Sequence, residues 1–239
     1  MHLVILFDNY KAEKAPQGVK TGWGFSCFIP EHHFLFDTGS NGPILLENMS
    51  LLGIYPRDVS HILLSHFHWD HIGGLFDLLA KGTKKLNLYL HRAFSERFAE
   101  ETSNFRTNIV WQDRMKEILP NIFTTGVLEG PVDEAGLIIK APGGLILVTG
   151  CAHPGILHMC KFVNQAMGQS PSLILGGFHL LGARQNQLQK LAAELKKLGV
   201  KFVAPSHCTG DKSISFLAQA FGRNFIRIGV GKNLDLSLL

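Results

Sequence analysis

Hydrophobic and polar positions follow two periods along the chain. Short apolar runs give way to helical stripes, and this succession occurs twice. Val4 to Phe7, Phe25 to Ile29 and Phe34 to Phe36 are apolar runs bounded by turn residues and predict strands. Ser40-Asn41-Gly42-Pro43 supplies a cap and an early proline for a helix whose apolar face is Ile44, Leu45, Met49 and Leu52, stopping at Gly53. His61 to Leu64 and Leu86 to Leu90 predict two buried strands. In the second half, Leu137 to Ile139 and Leu145 to Thr149 predict a hairpin turning at Pro142-Gly143-Gly144. Ile156, Met159, Cys160, Val163 and Met167 share one helix face, ended by Gly168. A strand is expected at Leu173 to Leu175. Leu188, Leu191, Ala192, Leu195 and Leu198 form a second amphipathic helix ending at Gly199. Lys201 to Ala204 predicts another strand, and Asp211 is expected to cap a last helix with Ile214, Leu217, Ala218 and Phe221 inward. Two mixed β-sheets flanked by helices on their outer faces bury all these stripes, which makes the chain an α/β protein.

No linker or low-complexity stretch divides the 239 residues. The expectation is one domain of two similar halves, about 1–125 and 126–239. Apolar residues make up 46% and charged residues 18%, a balance that excludes a wholly disordered chain. The net charge of +4 comes with only isolated basic pairs, Lys84-Lys85 and Lys196-Lys197, so no nucleic-acid partner is expected. The apolar runs are too short for a membrane span, and the start of the chain shows no signal-peptide pattern. The scattered cysteines, Cys27, Cys151, Cys160 and Cys208, point to a reducing, cytoplasmic setting. Cys160 lies on the core face of its helix and reads as a buried structural thiol.

Histidine changes the picture. Of twelve, four fall between positions 61 and 71. The segment Ser65-His66-Phe67-His68-Trp69-Asp70-His71-Ile72-Gly73-Gly74 follows a predicted strand. With period two, His66 and His68 point the same way. Asp70 and His71 fall on the first turn of a helix beside them. Two imidazoles then close on one cation while Asp70 and His71 face a second. Imidazole and carboxylate donors suit zinc, with manganese and iron as alternatives. Gly73 and Gly74 predict that backbone approaches closely there.

His66-x-His68-x-Asp70-His71 resembles the signature of the metallo-β-lactamase superfamily. Phe36-Asp37-Thr38-Gly39, Gly150-Cys151-Ala152-His153-Pro154-Gly155 and Ser206-His207-Cys208-Thr209-Gly210 resemble its further motifs, in order along the chain. Together with Gly176-Gly177-Phe178-His179-Leu180 they are similar to one subgroup, that of the dihydropterin-ribofuranosylaminobenzene phosphate synthases and related metal-dependent hydrolases. The resemblance implies a metallo-β-lactamase-like four-layer αββα sandwich. It implies one ion on His66, His68 and His153, and a second on Asp70, His71 and His207. It gives Asp37 an orienting role, by hydrogen bonds to a ligand histidine or to the Asp70 region.

The sequence departs from that pattern in one respect. Many two-metal members carry a bridging aspartate between the last two histidine motifs. Here the only acid between His153 and His207 is Glu194, within a helix. Gly-Gly-Phe-His stands where the aspartate is expected, so His179 either replaces it as a ligand or lines the site. Cys151 and Cys208 read as small residues packed beside the site, and either thiol has a reach to metal. His2, His32, His33, His61, His91 and His158 show no partner pattern.

A cation held by three imidazoles lowers the pKa of its water towards about 7. The expected function is therefore a metal-dependent hydrolase in which a metal-bound hydroxide attacks a small, phosphate-bearing ester, with Asp70 passing a proton. Thr209 and Lys212 at one helix start, and Pro154-Gly155 at another, are candidate phosphate contacts. The stretch Glu100 to Glu117 is either a lid or an inter-sheet connection. The alternatives are a carbon–carbon bond-forming transferase, as the subgroup name implies, and a non-catalytic metal or ligand binder.

Overall fold

The apolar runs become strands, and the computed structural model, which describes residues 1–238, divides them between two compact units. The first unit comprises Met1–Arg114 and Gly229–Asp235. It contains β1 (His2–Phe7), β2 (Ser26–Ile29), β3 (Phe34–Phe36), α1 (Gly42–Leu51), β4 (His61–Leu63), the single turn α2 (Trp69–Ile72), α3 (Leu75–Lys81), β5 (Leu86–Leu90), α4 (Glu96–Ser103) and β6 (Thr107–Trp111). These strands pair in sequence order from β1 to β6, and a short strand at Asn233–Asp235 adds outside β1. Pairing is antiparallel from β1 to β3 and parallel from β3 to β6. Phe36 is level with Leu63, so β3 and β4 end side by side. Leu45 and Met49 of α1, Leu75 and Leu78 of α3 and Phe98 of α4 pack with Leu6, Leu35, Ile62 and Leu88 of the sheet. Each such burial contributes roughly 1.5–3 kcal/mol.

The second unit comprises Met115–Ile228 and the chain end from Leu236. Its elements are β7 (Arg114–Leu119), β8 (Ile122–Leu128), β9 (Glu134–Ala141), β10 (Gly144–Thr149), α5 (Ile156–Met167), β11 (Pro171–Gly177), α6 (Gln185–Leu198), β12 (Phe202–Ser206) and α7 (Asp211–Phe221). The sheet order is β12-β11-β10-β9-β8-β7. β9 and β10 form the predicted hairpin, with Gly144 opposite Ala141. β10, β11 and β12 run parallel, with Thr149 beside Gly176 and Gly177 beside Ser206. Three strand ends therefore lie in a row, the position where α/β sheets bind ligands. Met159, Cys160 and Val163 of α5, Ala192 and Leu195 of α6 and Leu217 of α7 pack with Ile138, Leu147, Ile174 and Val203. Cys160 is fully buried and burial pushes its thiol well up, as its helical position predicts.

Asn41, within the predicted capping segment, caps α1, its Oδ1 accepting the Ile44 N–H at 2.9 Å. Other local expectations change. Asp211 is the first residue of α7, and Gly210 occupies the capping position. Glu100 to Glu117 is regular structure and not a lid. It finishes α4, adds β6 alongside β5, and enters the second sheet as β7. These edge strands mix exposed and half-buried residues, so they lack a clean period. Among the described residues, no helix is long and apolar enough to cross a membrane.

Candidate metal centre

In the first unit the candidate residues gather where β3 and β4 end. Asp37, the residue after β3, is fully buried. Its Oδ1 accepts the Ser65 N–H at 2.7 Å, and its Oδ2 accepts the Ser65 hydroxyl, also at 2.7 Å. Having donated its proton, Ser65 Oγ is an acceptor towards His66 Nδ1, 2.9 Å away. His71 Nδ1 lies 2.7 Å from Asp37 Oδ2 and donates to it, since an ionised carboxylate only accepts. One buried carboxylate thus puts the proton on Nδ1 of both rings and leaves each Nε2 with its lone pair. His66 Nε2 is 3.1 Å from His68 Nδ1, and His71 Nε2 is 3.7 Å from Asp70 Oδ2. A cation at about 2.0–2.1 Å from each ligand holds its donors roughly 3–4 Å apart, so both pairs fit one.

The backbone around this group is tight. A Cβ on Gly73 would lie 2.5 Å from Ser40 O, and one on Gly74 2.3 Å from Thr38 O, the close approach that the two glycines predict. Thr38 donates twice to the His71 carbonyl, from N at 2.7 Å and from Oγ1 at 2.9 Å. His91, after β5, is fully buried and donates from Nε2 to Ser65 O at 2.9 Å, because its Nδ1 accepts from Ala93 N. The sequence placed neither Ser65 nor His91 in the site. Their signal was only that each follows a predicted strand.

In the second unit His153 follows β10, His179 follows β11 and His207 follows β12. The rings of His153 and His179 are 4.4 Å apart. The segment before His153 is held by Glu134, a buried residue the sequence reading missed. Its carboxylate accepts four successive backbone N–H groups. Gly150, Cys151 and Ala152 donate to Oε1 at 3.0, 3.0 and 2.9 Å, and His153 donates to Oε2 at 2.9 Å. Thr149 Oγ1 donates to Gly177 O at 2.7 Å, tying the β10 end to the β11 end. Thr209 is buried, and its hydroxyl accepts the Phe178 N–H at 3.1 Å, so it turns inward and not towards an anion. Lys212 is exposed.

The ligand atoms of Cys151, His179 and Cys208 all lie within 4.8 Å of one another. A hydrogen bond from Cys151 and the neighbouring His179 bring the Cys208 thiol down to about 4, against the opposing effect of burial. The same contact with Cys208 raises His179. Among the described residues, six non-glycine residues have positive φ, and four are Asp37 (54°), Ala152 (59°), His179 (50°) and His207 (50°). Left-handed backbone costs about 1–3 kcal/mol at each such position and persists where surrounding contacts over-determine it. Here it gathers in the segments that carry the candidate ligands.

A family model described as the metallo-beta-lactamase superfamily matches residues 28–207. Over 275 aligned positions the chain is 30% identical to the 7,8-dihydropterin-6-methyl-4-(β-D-ribofuranosyl)-aminobenzene-5'-phosphate synthase of Methanocaldococcus jannaschii, with 95% of this chain and 94% of that protein covered. An uncharacterized protein of the same organism is 28% identical over 251 positions, covering 89% of this chain and 93% of its own. Among solved structures, one described as a metal-dependent hydrolase of the beta-lactamase superfamily superposes with a TM-score of 0.80 at 26% identity, over 99% of both chains.

Proposed function

The chain belongs to the metallo-β-lactamase superfamily, and on that premise we propose that it is a metal-dependent hydrolase of small, phosphate-bearing esters. The observation that carries this reading is the hydrogen-bonding of Asp37, which fixes one tautomer in His66 and His71 and leaves two nitrogens able to ligate. A buried imidazole pair held this way fits a borderline-soft divalent cation, with zinc ahead of manganese and iron.

In this reading His66, His68 and His153 hold one ion, and Asp70, His71 and His207 hold a second, with His179 beside them. When bound, the ions supply Lewis acidity, polarising the scissile group and lowering the pKa of water. The chain's own residues do the rest. Asp37 holds the His66 and His71 rings in register, and Glu134 does the same for the His153 backbone. Asp70 takes the proton released by the attacking water and returns it to the leaving oxygen. The phosphate of the substrate is supported by the 5'-phosphate in the product named for the methanogen relative.

That relative also favours a second reading, a synthase joining a dihydropterin to a ribofuranosylaminobenzene phosphate. Protein purified without chelator, with its metals quantified, separates the two. Turnover of a phosphomonoester, phosphodiester, lactone or thioester that disappears on chelation and in His66→Ala supports the hydrolase. Metal-replete protein that cleaves none of these, yet yields a coupled pterin product, overturns it in favour of the synthase.

A further inference from the structure

The two cysteines beside the histidine motifs have no part in the proposed hydrolysis, yet they are placed with care. Cys151 follows β10, His179 follows β11 and Cys208 follows β12, so three adjacent parallel strands deliver one donor each. We propose that Cys151, His179 and Cys208 form a soft-metal site adjoining the centre proposed above, taking a thiophilic cation such as zinc, cadmium or copper(I) through two sulfurs and one imidazole nitrogen.

Geometry supports this. With metal–sulfur bonds of about 2.3 Å and a metal–nitrogen bond of about 2.0 Å, tetrahedral ligands stand roughly 3.5–4 Å apart. The three donor atoms already lie within 4.8 Å of one another, so small side-chain rotations close them on an ion. The backbone makes room for the sulfurs. A Cβ on Gly177 would lie 2.7 Å from Cys208 Sγ, 3.1 Å from Cys151 Cα and 2.3 Å from Gly150 O, so only glycine fits between them. Cys208 Sγ sits 3.6 Å from the Cys151 carbonyl oxygen. Both cysteines are buried, at 3% and 5% exposure, whereas His179 is exposed. The site is closed on its sulfur side and open on its imidazole side, leaving a fourth position for water or a ligand. A cavity of about 370 Å³, lined by His153, Phe178 and His179 among others, lies on the imidazole side. Binding releases to solvent the protons that the donors carry. Two thiolates and an imidazole select against magnesium and calcium, which prefer oxygen.

Cobalt(II) is the probe. Thiolate ligation gives an intense near-ultraviolet charge-transfer band that imidazole and carboxylate ligands do not. The expected result is a band in the cobalt-loaded wild type that survives in the His66→Ala/His68→Ala double variant. It should be lost in Cys208→Ser and at least halved in Cys151→Ser. A wild-type protein without the band, or a band indifferent to both serine substitutions, overturns the proposal. Should a serine variant fail to fold by circular dichroism, cadmium-113 NMR of the wild type decides. A strongly downfield resonance reports sulfur ligation, and its absence refutes the site. Neither readout depends on turnover, so failure of the hydrolase reading stays distinguishable.

Discussion

Glu134 Oε2 accepts the His153 backbone N–H at 2.9 Å, while Oε1 of the same carboxylate takes the three N–H groups before it. The first residue of β9 thus holds the loop that follows β10. Successive N–H groups of this kind form an anion-binding concavity, here filled by the protein's own side chain. Glu134→Ala removes the acceptor of three buried donors and one half-buried donor. We expect it to lower the unfolding free energy by about 3 kcal/mol, since hydrogen bonds to a charge are the strong ones. Urea titration at unchanged m-value measures it, and a loss below about 1 kcal/mol removes Glu134 from this role.

Asp37 reaches His71 directly and His66 through Ser65. Asp37→Ala frees both rings to change tautomer, and metal affinity is expected to fall about 10–100-fold. Ser65→Ala cuts only the path to His66 and should cause the smaller loss. Competition with a chromophoric chelator ranks the two. Equal affinities in the wild type and Asp37→Ala contradict the assignment.

Gly74 and Gly82 should respond in opposite directions. A Cβ on Gly74 meets Thr38 O at 2.3 Å, whereas one on Gly82 meets only Leu79 O at 3.4 Å and Leu78 O at 3.7 Å. Gly74→Ala forces the backbone apart, at a cost of about 1–3 kcal/mol. Gly82→Ala, at φ −68°, narrows the unfolded ensemble and should add about 0.4–1 kcal/mol. Thermal melts of both variants test the pair.

His61 stacks with both Phe34 and Tyr89, which also stack with each other, and its Nδ1 is 3.1 Å from the tyrosine hydroxyl. Burial, and then the nearby His32 and His33, hold its pKa below the ordinary 6.5. The unfolded chain therefore binds this proton at a higher pH than the folded one. The stability it contributes is present above the unfolded value and is lost as pH falls through the folded value. Stability measured at about pH 7.5 and about pH 5.5 should drop less in His61→Gln than in the wild type. An identical drop in both rules out His61 as a contributor.

The sequence by itself determined the two strand-and-helix series, because each buried stripe repeats at the period of its element and needs no partner to be read. It also made one dense cluster of candidate ligands legible. His66, His68, Asp70 and His71 are close in the chain, and Gly73 and Gly74 announce the close backbone beside them. Tertiary structure decided the rest. Glu134 is 16 to 19 residues from the amides it serves, and Asp37 is 28 and 34 residues from Ser65 and His71. His91 meets Ser65 from the next strand, and β6 and β7 are strands only because a neighbour offers them a ladder. Such contacts depend on sheet order and register, which bring distant strand ends level, and no local period records them.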